Sequence, residues 1–330
     1  MSFNIKPISG PNVWRGIDCK NTDLWTHRLS PGVMSEISAV VQEAQSKGRN
    51  QYDFRFELYE IPRLRTELKV ILNDLAEGPG FSLIRGINID TKNSETLKLT
   101  LQVIGHHMGL VGPQENHPRS IGEVRDVRPA IRTHYYHGGG PLPMHMDPID
   151  AVGLLCIRAA KQGGESRIVS SAAVHNEILK SRPDLLNLLY RGFKHRRRKE
   201  RSNSGSSITK FYCPIFAKIG GKFVCNYIPR PIRWAVDDGL VSLSKAEEEA
   251  LTLLDITAAC ENLCLNMDMQ PGDLQFLNNR FIMHGRSDYV DFEELEKRRF
   301  MLRLWLTIPS WPKFPSNMPH SDVELKTTPA

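Results

Sequence analysis

The sequence predicts an α+β fold with a mainly β core: a strand sandwich or barrel with helices packed on it. Helical periodicity clusters before residue 110, short strands joined by turns dominate after residue 140, and there is no internal repeat. At 330 residues the chain can bury one large core. A single domain over residues 1–330 is expected, with a helical portion at 1–110 and the β core at about 140–308.

The helices come first. Over 31–48, Ser30 can cap, Pro31 fits the first turn, and Val33, Ile37, Val40, Val41 and Ala44 share a face before Gly48. Leu64, Leu68, Ile71, Leu72 and Leu75 mark a second helix, stopped by Glu77-Gly78-Pro79-Gly80. Phe81 to Ile84 reads as a buried strand and Thr96 to Leu110 as a third helix. From Gly112 to Gly140 periodicity is lost, and a loop of that length is often functional. Ala151 to Arg158 is a strong strand, and Arg167-Ile168-Val169 opens another. Short helices are expected over Ser171–Leu179 and Pro183–Tyr190. Gly220-Gly221 joins a hairpin, and Ser244 with Glu247 forms a capping box for a helix over Leu243–Leu263. The last strand, Arg299 to Ile308, alternates Phe300, Leu302, Leu304 and Leu306 with Arg299, Met301, Arg303 and Trp305.

Composition narrows the function classes. No apolar run approaches the roughly 20 residues that a membrane helix needs, and the first residues lack a signal-peptide pattern. A cytoplasmic protein is expected. The six cysteines form no CxxC pair and read as buried free thiols. The net charge of +6 is concentrated in residues 191–201, which hold seven Lys/Arg and one Glu. A solvated, mobile loop beside a site for an anionic substrate is favoured there over nucleic-acid contact.

The chemistry centres on His145 and Asp147. As i and i+2 on a strand they would face the same side and grip one metal ion from that side. Two ligands do not close a site, and His284 is the candidate third. Two imidazoles and one carboxylate, with other positions open, suit non-heme Fe(II). Asp147 and His284 are 137 residues apart, so only the fold can join them. Arg298-Arg299 begins 14 residues after His284, and a guanidinium there can reach a dicarboxylate on the metal. Taken alone, Arg299 and Arg303 also read as solvent-facing residues on a half-buried strand.

These pieces occur in a definite order: Phe81-Ser82-Leu83-Ile84-Arg85-Gly86, His145-Met146-Asp147, Gly163-Gly164-Glu165-Ser166, Pro271-Gly272-Asp273-Leu274, Asn278-Asn279-Arg280 to His284-Gly285-Arg286, and Arg298-Arg299 to Arg303. Over roughly residues 80–308 this set resembles the taurine dioxygenase-like family of Fe(II)/2-oxoglutarate oxygenases, which includes the clavaminate synthase-like and γ-butyrobetaine hydroxylase-like enzymes. The resemblance implies a double-stranded β-helix, or jelly roll. It implies His145, Asp147 and His284 as iron ligands. It places Arg299 and Ser166 on the distal carboxylate of 2-oxoglutarate and Arg303 toward the prime substrate. His134, Tyr135 and His137, just before the motif, are candidate substrate contacts. The carboxylate at 147, rather than a Gly or Ala, argues against halogenation.

The expected enzyme is a dioxygenase using Fe(II), 2-oxoglutarate and O2. It would oxidise an unactivated C–H bond of a small carboxylate or amino-acid-like substrate by hydroxylation, desaturation or ring closure, releasing succinate and CO2. Its partner is that small molecule, rather than nucleic acid or membrane. Two alternatives use the same residues: a metal-dependent hydrolase, and a non-catalytic jelly-roll binding module.

Overall fold

The computed structural model describes residues 5–54, 58–89, 93–114, 120–125, 140–197 and 207–318. Among them lie seven α-helices: α1 (Pro31–Ser46), α2 (Pro62–Ala76), α3 (Ser94–Met108), α4 (Ser171–Ser181), α5 (Pro183–Arg191), α6 (Pro229–Asp237) and α7 (Lys245–Ala258). The strands, in chain order, are β1 (Thr26–His27), β2 (Phe81–Ile84), β3 (Leu110–Val111), β4 (Gly122–Arg125), β5 (Leu142–His145), β6 (Ala151–Arg158), β7 (Gln162–Gly163), β8 (Ser166–Ser170), β9 (Phe216–Ile219), β10 (Lys222–Cys225), β11 (Leu265–Met267), β12 (Leu274–Asn278), β13 (Ile282–Arg286), β14 (Tyr289–Val290) and β15 (Phe300–Thr307).

Two sheets face each other. The larger runs β1-β2-β12-β6-β15-β3, with β4 also paired to β15, and the smaller runs β11-β8-β13-β5. Phe81 and Leu83 of the larger sheet meet Ile168 and Ile282 of the smaller in the core between them. Helices cover the outer faces. α1, α2 and α3 pack on the larger sheet through Ile37, Leu68 and Leu101, against Leu302, Leu304 and Leu306 of β15. α4, α5 and α7 pack on the smaller sheet, where Val169 and Met283 point outward. This is the jelly-roll sandwich with packed helices.

Strand alternation explains the inner face. The even residues of β15, from Phe300 to Leu306, go to the helical side, and Met301 goes to the inter-sheet core. Arg303 and Trp305 share the face of Met301. The same rule sends Met144 and Met283 outward and their neighbours His145 and His284 inward. The polar residues of the last strand therefore line the interior rather than the solvent face.

Local signals held where they were strong. Ser30 accepts from Val33 N–H, and the capping box of α7 is complete. Gly220 and Gly221, with φ of +58° and +80°, turn β9 into β10. Several elements were not foreseen, among them β4 and α6. β4 lies inside the aperiodic stretch and is held by β15. α6 begins Pro-Arg-Pro, which reads as a loop, yet proline is tolerated in the first helical turn. The start of the basic run also differs from a solvated loop. Phe193 pairs with Cys213 and Arg196 with Ile208, while Phe193 and His195 are buried. Residues 198–201 lie outside the described residues. Four of the cysteines are buried and Cys260 is exposed. No helix among the described residues is long and apolar enough to cross a membrane.

Candidate active site

β5 and β13 are neighbours in the smaller sheet, and their register sets His145 opposite His284. The ring centroids lie 4.5 Å apart, with the planes tilted by 47°. The ladder shifts just beyond, between His284 and Arg286. Gly285 occupies that shift, and a Cβ there would come within 2.5 Å of the Leu142 carbonyl oxygen. A side chain at 285 would push apart the two strands that carry the histidines.

Asp147 reaches the same place differently. The expected i, i+2 strand geometry does not hold, because β5 ends at His145 and Asp147 follows outside the ladder. Pro148, which has no N–H, ends the run. Met146 N–H donates instead to Tyr227 O at 2.8 Å. Asn279, in the turn before β13, then fixes the residue. Asp147 N–H donates to Asn279 Oδ1 at 3.2 Å, and Asn279 Nδ2 donates to the carbonyls of Asp147 and Ile149. Arg280 adds a buried ion pair to Asp150 at 2.6 Å. The outcome is a compact triad: His145, Asp147 and His284 each offer a ligand atom within 4.8 Å of the others.

The chemistry of these atoms fits a metal ion. His145 Nδ1 lies 2.9 Å from the Pro143 carbonyl oxygen. A carbonyl only accepts, so Nδ1 carries the proton and Nε2 keeps its lone pair for a metal. His284 Nδ1 is buried with no partner among the described residues, and Nε2 stands 3.8 Å from Asp147 Oδ2. Burial, helped by the neighbouring His145, pushes the His284 imidazole down to about 3. A neutral imidazole is the ligating form. Burial alone would raise the Asp147 carboxyl, but Arg303, the two imidazoles and the Trp305 N–H together hold it below the usual range. One carboxylate and two imidazoles leave positions open on an Fe(II) ion.

Arg299 precedes β15 and is buried. Asp291 accepts from its backbone N–H at 2.8 and 3.1 Å. Burial, reinforced by the nearby Arg286, pushes the guanidinium down to about 10. Both guanidinium groups lie over the Tyr289 ring, at 5.6 Å for Arg299 and 4.5 Å for Arg286. Among the described residues no carboxylate forms an ion pair with the Arg299 guanidinium. A buried cation in that state suits an incoming carboxylate. Gly164, at φ +82°, passes close by, where a Cβ would sit 3.3 Å from Arg299 Nε. Ser166 is buried on β8 and pairs in register with Arg286, and its hydroxyl donates to Gln275 Oε1 at 2.9 Å.

Arg303 comes to the triad as well. Its Nη1 lies 3.8 Å from Asp147 Oδ2, and its Nε donates to Gln114 Oε1 at 2.8 Å. His134, Tyr135 and His137 fall outside the described residues. Gln114, Asn279 and Trp305 have parts that the sequence did not assign. The alternation of β15 carried a signal for Trp305, two residues beyond Arg303. Nothing local marked Gln114, which comes from a distant loop.

Comparison with known proteins gives the family and the fold. A model of the taurine catabolism dioxygenase TauD, TfdA family matches residues 43–305. FR-33289 synthase of Streptomyces rubellomurinus is 26% identical over 325 residues, covering 95% of this chain and 94% of that protein. Taurine hydroxylase-like protein SAT17 of Stachybotrys chartarum is 27% identical over 309 residues, covering 88% and 77%. Among solved structures, asparagine oxygenase in complex with Fe(II), 2S,3S-3-hydroxyasparagine and succinate superposes with a TM-score of 0.65 at 16% identity, covering 86% of this chain and 94% of that one. The non-heme iron oxygenase OrfP, in complex with Fe and alpha-ketoglutaric acid, gives 0.61 at 15% identity, covering 86% and 93%. The two structures establish the shared fold. With the family match over most of its length, the chain belongs to the taurine catabolism dioxygenase TauD, TfdA family of iron- and 2-oxoglutarate-dependent oxygenases.

Proposed function

We propose that this single-domain enzyme oxidises an unactivated C–H bond of a small carboxylate or amino-acid-like substrate, with release of succinate and CO2. The observation that carries the reading is the convergence of ligand atoms of His145, Asp147 and His284 within 4.8 Å of one another, with a buried Arg299 just before β15 of the facing sheet. The three residues hold Fe(II), and Arg299 and Ser166 take the distal carboxylate of 2-oxoglutarate. Held there, iron and 2-oxoglutarate would supply the oxidising equivalent from O2.

The chain's own residues do the rest. His145 keeps Nε2 available because Pro143 holds the Nδ1 proton. The Arg299 fork orients the co-substrate, which a lysine could not match. Arg303 faces the anionic group of the prime substrate. The amino-acid derivative in the asparagine oxygenase structure supports the substrate class.

The test is succinate production from 2-oxoglutarate by purified protein with Fe(II), across a panel of amino acids and sulfonic acids. Succinate should rise with at least one substrate and only with iron and O2 present. Arg299→Ala should weaken 2-oxoglutarate binding by about 2–3 kcal/mol, on the scale of a charge-assisted hydrogen bond, while iron is retained. Unchanged 2-oxoglutarate affinity in that variant would overturn the role given to Arg299.

A further inference from the structure

Asp147 stands outside the strand ladder, so its backbone alone does not decide where its carboxylate points. One oxygen of that carboxylate is engaged. Trp305 Nε1 donates to Asp147 Oδ2 at 2.9 Å, across 158 residues of sequence. Indole is a donor only, so this bond has one polarity and cannot invert. The Trp305 backbone is fixed on both sides, by its register opposite Val152 in β6 and by Gly112 N–H donating to its carbonyl at 2.8 Å.

The indole is also braced from its face. The Arg303 guanidinium lies 4.6 Å from the ring centroid. Arg303 is held in turn by Gln114, which accepts from Arg303 Nε. The Gln114 amide has no freedom to flip. Its Nε2 donates to the carbonyls of Arg303 at 2.6 Å and Ser120 at 3.1 Å, which leaves Oε1 facing the guanidinium. Gly122 keeps room for that amide, since a Cβ there would fall 2.3 Å from Gln114 Oε1.

We infer that Trp305 is the positioning residue for the Asp147 carboxylate, with Arg303 and Gln114 bracing the indole that holds it. The inference rests on the reading of Asp147 as a metal ligand. Its physical content is that the indole N–H fixes the carboxylate's rotation, so the ion meets the same oxygen geometry each time it binds. Groups that orient a metal ligand typically change metal affinity by 10–100-fold when removed.

The experiment is a calorimetric titration of metal-free protein with Co(II), using wild type and Trp305→Phe. Phenylalanine keeps a ring beneath Arg303 and removes the N–H together with the pyrrole part of the indole. The expected result is at least about a tenfold weaker Co(II) affinity in the variant, measured below the thermal midpoint of the metal-free variant, which the lost hydrogen bond lowers. Equal Co(II) affinity overturns the inference. Failure of the wild type to bind Co(II) at all would instead overturn the metal-site reading, and wild-type binding abolished by His145→Ala secures it. Should Trp305→Phe not fold, wild type labelled with 15N-tryptophan gives an independent answer. Zn(II) should shift the Trp305 indole N–H resonance more than those of the other four tryptophans, and an unmoved Trp305 resonance overturns the inference.

Discussion

His145 and His284 stand opposite each other in a β-ladder, whereas Asp147 lies just past the end of one of those strands. The histidine half of the site is set by backbone pairing that runs on through β8. The carboxylate half is set by side chains: Asn279 on its backbone, Arg280 on Asp150 and Trp305 on its oxygen. A ladder repeats the same bond at every residue, so apart from the close approach at Gly285 no single position is decisive there. A clamp concentrates the positioning in a few polar contacts, each costly to leave unmade. The carboxylate half is therefore the part of the site that point mutations should reach most directly.

The largest effect should come from Arg280→Leu. It strands a buried Asp150, whose other oxygen accepts from Ile308 N–H at 2.9 Å. Breaking a buried pair on one side costs about 4 kcal/mol. Chemical denaturation should show that loss. Metal affinity should fall with it, because the 147–150 segment loses its anchor. A full loss of stability with metal affinity intact would erase the distinction between the two halves.

A second contrast involves two buried imidazoles. His195, like His284, has a buried Nδ1 without a partner among the described residues, and burial pushes it down to about 4. The folded state therefore favours neutral His195. Its contribution is complete above the ordinary value near 6.5 and is lost as pH falls from there toward 4. The expected loss over that window is about 3 kcal/mol, measured as the midpoint of urea unfolding against pH. In a His195→Gln variant the slope through that window should flatten. Added metal should leave the His195 component unchanged, because that residue is no part of the triad.

The smallest effect should come from Ser166→Ala. It removes the hydrogen bond to Gln275 Oε1, worth about 1 kcal/mol, and weakens 2-oxoglutarate binding by a similar amount. Iron affinity should not change, since Ser166 is not in the triad. A change in iron affinity on Ser166→Ala would show that the co-substrate pocket and the metal ligands are one coupled unit.

Much of the fold was legible because its signals are local. The caps at Ser30 and Ser244, the Gly220-Gly221 turn and the alternation of Phe300 to Leu306 depend on residues a few positions apart. β4 and α6 were missed for the opposite reason. β4 is a strand because β15 pairs with it, and α6 starts with a composition that resembles a loop. In the site, His145, Asp147 and His284, which the fold brings together, could be named from residue type, spacing and family resemblance, and Ser166 and Arg299 were proposed on the same grounds. Gln114 could not, because its part depends on meeting Arg303 across 189 residues.

The sequence by itself determined the chemistry available: two imidazoles, a carboxylate and arginines, in an order carried by strand periodicity and turns. Tertiary structure decided which of them meet and how. It turned the polar face of the last strand inward and put His145 across from His284. It also replaced the i, i+2 strand geometry first expected for Asp147 with the grip of Asn279 and Trp305. The physical reason is reach. Periodicity and capping act over one or two turns of chain, whereas the contacts that aim Asp147 join residues 132 and 158 positions away.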